Sequence, residues 1–181
     1  MENKKYISKL AVFDLDGTLW EPNSHIDIVN KYYKTTIFSS PLYKAYSKIF
    51  PKGYLKLLNK KYKKIPKDYI VSYKPVFRES ALTLLEQKKN DGYLMLIASN
   101  APVEIVETAA NRLSLDFIRA DASQKYDAIC RKYQFDYLLV CTDNKSDWDL
   151  LEKADKSVIY THKRNKKFFV KHYPDALFME K

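Results

Sequence analysis

The stretch Lys9-Leu-Ala-Val-Phe-Asp-Leu-Asp-Gly-Thr-Leu-Trp20 constrains this chain more than any other. In it an apolar run ends abruptly in two carboxylates one residue apart, Asp14 and Asp16. Leu10 to Phe13 is short and continuously apolar, the pattern of a strand buried on both faces, and Gly17 breaks it where the backbone turns. Side chains alternate along a strand, so Asp14 and Asp16 point the same way, with Leu15 opposite, for as long as the chain stays extended. An isolated Asp, with a reference pKa of about 3.9, is ionised at neutral pH, so Asp14 can act as a nucleophile without a partner base. Asp16 is placed to handle protons. Two such charges repel by roughly 1 kcal/mol at 4 Å in water and about 4 kcal/mol at an effective dielectric of 20. The pair therefore asks for a cation. Mg²⁺ answers that need, since it seeks oxygen, keeps several waters and accepts phosphate as a ligand.

The 181 residues suit one domain, or one domain with a modest insertion, and 46% hydrophobic with 30% charged residues excludes a disordered or membrane-embedded chain. The apolar run Leu94 to Ala98 falls far below the roughly 20 residues that span a bilayer, and Met1-Glu-Asn-Lys-Lys-Tyr6 has no signal-peptide apolar region. A cytoplasmic protein without a membrane partner is expected. Cys130 and Cys141 have neither the number nor the spacing of a disulfide framework or zinc site, so both read as buried free thiols. The net charge of +10 is unevenly placed. Residues 21–76 hold twelve lysines against three carboxylates, a net +9, with eight of the fifteen tyrosines and no Arg. Residues 1–20 and 77–181 are close to balanced, which marks 21–76 as an inserted unit.

Within that unit Ile26, Val29 and Tyr33, then Leu42, Tyr46 and Ile49, recur at helical intervals, and Pro22, Pro41, Pro51, Pro66 and Pro75 punctuate it. Several short helices and no strand are predicted, with Pro51-Lys-Gly53 as a turn. From Pro75 onward strands and helices alternate. A helix over Glu79–Asn90 stops at Asp91-Gly92, a buried strand Tyr93–Ala98 ends in Ser99-Asn100, and a helix follows over Val103–Leu113. A short strand at Phe117-Ile118, a helix from Ser123 to about Tyr133 and a strand Tyr137–Thr142 lead to the acidic loop Asp143-Asn-Lys-Ser-Asp147. A helix through Leu150-Leu151, a strand Val158–Tyr160, a solvated basic helix face Lys163–Lys171 and a strand Ala176–Phe178 complete the chain. Such alternation implies a parallel sheet with helices on both faces, with functional groups at the carboxyl ends of the strands. Asp14, Asp16, Ser99, Asp143 and Asp147 all fall there.

Phe-Asp-Leu-Asp-Gly-Thr-Leu resembles the first motif of the haloacid dehalogenase-like superfamily, mostly phosphatases that pass through an aspartyl-phosphate. Leu-Met-Leu-Ile-Ala-Ser-Asn is similar to the second motif with Ser99, Lys125 to the lone lysine of the third, and Thr142-Asp-Asn-Lys-Ser-Asp147 to the fourth, usually Gly-Asp-Ser-x-x-Asp. Thr142 and Asn144 depart from that last pattern. The resemblance covers the core, 1–20 and 77–181, and implies a Rossmann-like α/β fold with a small all-helical cap over 21–76. The layout is closest to the phosphoserine phosphatase-like branch, also through Ser99-Asn-Ala-Pro-Val-Glu-Ile-Val-Glu-Thr-Ala-Ala-Asn-Arg-Leu-Ser-Leu-Asp116. Serine specificity is not implied, because no cap Arg is present to bind a substrate carboxylate. Trp20 after Thr-Leu instead resembles a capless branch that includes magnesium-dependent protein phosphatases.

The resemblance implies that Asp14, the Asp16 carbonyl and Asp143 hold Mg²⁺, with Asp147 behind them. Asp14 attacks phosphorus, and Asp16, its pKa raised by neighbouring carboxylates, protonates the leaving oxygen and later activates water. Thr18 fixes the loop, Ser99 and Asn100 with adjacent N–H groups hold a phosphoryl oxygen, and Lys125 balances its charge. A small phosphorylated metabolite or sugar phosphate is the expected substrate, with the cap charge steering it. Lysines interleaved with tyrosines over Tyr54–Lys64 also suit a nucleotide or nucleic-acid end, or a polyanion-binding role. Asp149 reads as a helix-surface residue. His25, His162 and His172 read as exposed or lightly buried, His25 being near enough to the first motif to touch substrate.

Overall fold

In the computed structural model, which describes residues 4–181, the first strand, β1, spans Lys5–Phe13. Met1 to Asn3, read above for a leader and counted with the core, lie outside the described residues. β1 thus begins well before its apolar run. The extra length is supported by β4, Tyr133–Thr142, which pairs parallel to it from Lys5↔Tyr133 to Phe13↔Cys141. The remaining strands are β2 (Leu94–Ser99), β3 (Asp116–Arg119), β5 (Lys156–Thr161) and β6 (Leu177–Glu180). All pair parallel in the order β3-β2-β1-β4-β5-β6. The chain builds outward on one side of β1 and then returns to build on the other, so the strand order reverses at β1 and β4. The carboxyl ends of those two strands flank the crevice where such sheets place their ligands.

The two-residue strand period divides the core. Ala11, Phe13, Leu139 and Cys141 face one side, with Ala81 and Leu85 of α5 (Glu79–Asn90) and Ile105, Val106, Ala109 and Ala110 of α6 (Val103–Leu113). Leu10, Val12, Leu138 and Val140 face the other, with Ile129 of the helix Lys125–Lys132, Leu150 and Leu151 of the short helix Trp148–Leu151, and Phe169 of the helix Lys163–His172. Burying each such side chain contributes about 1.5–3 kcal/mol. Both faces of β1 are filled, as its unbroken apolar run requires.

The insertion contains α1 (Ser24–Tyr32), a 3₁₀ turn at Ile37–Ser39, α2 (Pro41–Ile49), α3 (Pro51–Tyr62) and α4 (Lys67–Ser72), and no strand. With these four named, the three helices that face β1's second side, in chain order, are α7, α8 and α9. The predicted turn at Pro51-Lys-Gly53 is instead the first turn of α3, separated from α2 by Phe50 alone. Proline at the first helical position gives up only an N–H that has no partner there, so it starts this helix rather than breaking it. Ile28, Val29, Tyr54, Leu58, Tyr62, Ile65 and Ile70 bury in the same cluster as Ala11 and Phe13, so the insertion and the sheet share one core.

Its two connections run side by side. Glu21 N–H donates to the Val76 carbonyl at 3.1 Å and Arg78 N–H to that of Leu19 at 2.8 Å, and Trp20 bridges Phe77 antiparallel. The buried Trp20 ring stacks on Tyr73 at 5.7 Å. The residue that resembled a capless branch is therefore the seat of the helical insertion.

Candidate active site

Lys125 is the first residue of α7, and its side chain is 2% exposed although charged. Nζ donates to Asp14 Oδ1 at 2.7 Å and to Asp147 Oδ2 at 2.9 Å, joining the end of β1 to the loop after β4. Two ties aim this helix. Ser123 N–H donates to the Ser146 carbonyl at 3.2 Å, and Tyr126 N–H donates to Asp149 Oδ2 at 2.9 Å. Asp149 is thus not a free surface residue; its carboxylate sits against the positive end of α7 and steadies the turn that carries Lys125.

The two departures in the fourth motif have partners here. Thr142 Oγ1 donates to Asp147 Oδ2 at 2.7 Å and accepts from Asn144 N–H at 3.0 Å, while Asn144 Oδ1 accepts from Ser146 N–H at 3.1 Å. A hydroxyl and an amide hold the loop that the usual Gly and Ser would form otherwise.

The first motif leaves the strand after Phe13 and turns at Gly17, whose φ is +77°. The positive φ favours glycine, and a Cβ there would fall 2.6 Å from both Asp143 Oδ2 and Lys181 Nζ and so displace that pair. Leu15 packs into the core, and Asp16 is held by α1: its Oδ1 accepts from Ser24 N–H at 2.8 Å and its Oδ2 from the Asn23 amide at 3.1 Å. Thr18, fully buried, donates to Asp143 Oδ1 at 3.4 Å. Lys181 pairs with Asp143 Oδ2. Arg78 donates to the carbonyls of Gly17 and Thr18 at 3.4 and 3.2 Å, bracing the turn from the far connection of the insertion. Sequence reasoning missed Asn23, Arg78 and Lys181, and single polar residues at those positions carry no distinguishing pattern.

A cavity of about 240 Å³ opens over these groups, lined on the core side by Asp14, Asp16, Ser99, Asn100, Lys125 and Asp147. Thr18 and Asp143 are not among its lining residues. Ser99 Oγ accepts from Ala101 N–H at 3.2 Å, and Asn100 is engaged by Arg119 at 3.3 Å. From the insertion come Asn23, His25, Ile26, Tyr54, Leu55 and Leu58; none of its twelve lysines lines the cavity. His25 departs from expectation. It is only 9% exposed, its Nε2 is buried without a partner among the described residues, and Tyr62 packs edge-on at 4.7 Å. Burial pushes its pKa down to about 4, so the ring is neutral at neutral pH. His162 and His172 are exposed as predicted, and Cys130 is only partly buried whereas Cys141 is fully so.

Burial also corrects two expectations about the carboxylates. Asp14 is pushed up to about 8, chiefly by burial, with Asp147 and Asp143 adding and Lys125 opposing, so it is not the freely ionised group that an isolated Asp would be. Asp16 is raised mainly by burial rather than by neighbouring carboxylates, and its bonds from Ser24 hold it back. Lys125 loses from burial, but Asp14 and Asp147 hold its pKa above the ordinary lysine value.

This arrangement can be set beside known proteins. No protein-family model and no curated sequence matches the chain. Solved structures do. A phosphoserine phosphohydrolase-like protein from Francisella tularensis superposes with TM-score 0.65 at 17% identity, covering 93% of this chain and 94% of its own. A phosphoserine phosphatase solved as a phospho-aspartyl intermediate analogue gives 0.60 at 18%, covering 97% and 94%. The chain has the haloacid dehalogenase-like fold. A further protein of that fold, a HAD family hydrolase from Salmonella enterica serovar Typhi, gives 0.64 at 16%, covering 91% of this chain and 66% of its own. Within the haloacid dehalogenase-like fold, the four sequence motifs of this chain converge on one strand-end crevice.

The charge of that crevice bears on a metal. Four carboxyl groups, those of Asp14, Asp16, Asp143 and Asp147, share the crevice with two ammoniums, Lys125 on Asp14 and Asp147 and Lys181 on Asp143. Among the described residues no three His, Cys, Asp or Glu side chains converge into a ready-made metal site, since Asp143 turns to Lys181 and the Asp16 carboxylate to α1. The excess of carboxyls over ammoniums, the oxygen-only donors and the upward shift of Asp14 nevertheless fit a hard divalent cation.

Proposed function

We propose that this protein is a phosphomonoester hydrolase of haloacid dehalogenase type that works through an aspartyl-phosphate on Asp14. The observation that carries the reading is Lys125, buried and bridging Asp14 and Asp147 within a cavity at the carboxyl ends of β1 and β4. A buried lysine costs stability unless its charge is used, and here it supplies the positive counterpart to a transferring phosphoryl group. The helices of the insertion act as a cap over the reacting atoms.

Asp14, the Asp16 carbonyl and Asp143 would hold Mg²⁺, with Asp147 one step behind. When bound, Mg²⁺ supplies charge neutralisation of the phosphoryl oxygens and the facing carboxylates. Asp14 attacks phosphorus in line as the carboxylate, the form that Lys125 favours and a bound cation would favour further, forming an acyl phosphate as the ester O–P bond breaks. Asp16, raised in pKa by burial and aimed by Asn23 and Ser24, gives its proton to the leaving oxygen. It then takes a proton from the water that attacks phosphorus, releasing inorganic phosphate and regenerating Asp14. Lys125 and the N–H groups after Ser99 hold phosphoryl oxygens throughout.

The substrate is a small phosphorylated metabolite with an uncharged leaving group. Support comes from a cavity of only about 240 Å³ whose insertion side offers Ile26, Tyr54, Leu55, Leu58 and the neutral His25, with no cation to meet a carboxylate. The same absence of cap lysines from the cavity weighs against a nucleic-acid end in the site. The test is phosphate release from sugar phosphates, nucleotides, phosphoamino acids and end-phosphorylated oligonucleotides, with Mg²⁺ and with EDTA. Turnover abolished by EDTA and by Asp14→Asn is expected; full turnover in Asp14→Asn sinks the reading.

A further inference from the structure

The insertion carries a surface that, apart from Leu55, lies outside the site. Six of the large apolar side chains exposed on the molecule fall between Ile37 and Leu55: Ile37 (49%), Leu42 (76%), Tyr46 (38%), Ile49 (68%), Phe50 (58%) and Leu55 (51%). No residue of α2 is buried. Leu42, Tyr46, Ile49 and Phe50 stand at i, i+4, i+7 and i+8, one stripe along a helix and its C-cap, and the rings of Tyr46 and Phe50 lie 5.6 Å apart. Hydrophobic groups at this spacing belong against an apolar surface, yet here they face outward.

The charge around the stripe is of one sign. Between Ile28 and Lys67 there are eleven lysines and no Asp or Glu. Lys44 and Lys48 flank the stripe on α2, and Lys52, Lys56 and Lys60 run along α3; all five are exposed. Among the described residues, none of the insertion's lysines pairs with a carboxylate. Leu55 both belongs to the exposed patch and lines the cavity, so a surface held against this patch lies beside the mouth of the site.

We infer that α2 and α3 dock this protein onto an anionic phospholipid surface, the stripe entering the interface while the flanking lysines meet headgroup phosphates. The observations favour this occupant over two others. A second copy of the chain would bring one lysine-rich face against another, and four of the six exposed apolar side chains, Ile37, Leu42, Ile49 and Leu55, are aliphatic and give a nucleic-acid base nothing to stack on, against two rings, Tyr46 and Phe50, that pack on each other. An anionic bilayer satisfies both halves of the pattern, because a short basic amphipathic helix gains apolar burial and electrostatic attraction together. This differs from the expectation of no membrane partner, which rested on the absence of a spanning segment; surface docking needs none. It is independent of whether the site hydrolyses phosphoesters.

The experiment is flotation of the full chain with vesicles of phosphatidylcholine alone and of phosphatidylcholine mixed with phosphatidylglycerol, at low and high salt. Two variants accompany it, Leu42→Asp/Ile49→Asp in the stripe and Lys52→Glu/Lys56→Glu beside it, each checked for folding by thermal melting. The substituted residues are exposed, so the fold should survive. Binding to the mixed vesicles only, weakened by salt and at least about tenfold by either variant, is expected. Failure to bind anionic vesicles overturns the proposal. So does binding that both variants leave unchanged, or a stripe-dependent dimer or oligonucleotide complex formed in place of vesicle binding.

Discussion

At the carboxyl edge of the sheet, Asp14, Asp147 and Lys125 are almost wholly removed from water and bond to one another at 2.7–2.9 Å. A short distance away in the insertion, twelve lysines stand against three carboxylates, and among the described residues none of them is ion-paired. The first region spends folding energy to hold charge where solvent cannot reach it; the second leaves its charge in solvent, where holding it costs little. Charge inside the crevice is tied to the fold, so altering it should change stability and chemistry together. Charge on the insertion is detached from the fold and available to something outside the molecule.

The sharpest way to break this contrast is Lys125→Ala. Removing the cation leaves Asp14 and Asp147 buried without their partner, and loss of one member of a buried ion pair costs about 3–5 kcal/mol. Urea denaturation measures it. Above pH 8, where Asp14 is ionised in the parent, adding Asp14→Asn removes one of the stranded carboxylates and should return part of the loss, so a double variant no more stable there than Lys125→Ala would mean that the pair is not energetically coupled.

A second effect, within the same range at most, follows from Asp14 itself in the EDTA-treated protein. Burial pushes its pKa in the folded chain up to about 8, above the 3.8 of a free aspartate. Between those values the folded chain keeps a proton that the unfolded chain has released, so the contribution is favourable at low pH and is lost as pH rises toward 8. One independent group would give a slope of about 1.4 kcal/mol per pH unit, an upper bound because Lys125 is coupled to it. Asp14→Asn removes this component, and its stability should fall less steeply than that of the parent between about pH 5 and pH 8. Identical slopes would show that Asp14 stays ionised throughout.

The same contrast explains what could be read from sequence. The buried strand ends were legible because apolar runs must be interrupted for a carboxylate to appear, and Asp14, Ser99 and Asp143 stand at those interruptions. The helix Glu79–Asn90 was legible from its apolar spacing and its glycine stop, and both its ends agree with the structure. The first half of β1 and of β4 was not. Lys5–Lys9 and Tyr133–Tyr137 are mixed in polarity and become strands only by pairing with each other, which no local pattern encodes. Asp149, Thr142 and Arg78 were misread or missed for a related reason: each acts on a backbone or side-chain group brought near by the fold. The depth of His25 likewise depends on Tyr62, which arrives from another helix. The exposed stripe escaped because Leu42, Tyr46 and Ile49 have the spacing of a core face, and only the packing reveals that none of the described residues covers them.

The smallest predicted effect has the opposite sign to the first. Lys52, Lys56 and Lys60 follow one another at four-residue intervals on α3, so each neighbouring pair repels by about 0.2–0.5 kcal/mol across one turn. Lys56→Glu converts both repulsions into attractions without touching a buried contact, since Lys56 is exposed. It should therefore raise stability slightly, by roughly 0.8–2 kcal/mol, seen as a small rise in the urea midpoint at low salt that shrinks as salt is added. A clear destabilisation would mean that these lysines have structural partners within the chain. A gain would mean that the unaltered sequence retains lysines at α3 positions where the fold alone favours a carboxylate, a pattern that needs a reason outside the folded core, and the exposed stripe beside them supplies one.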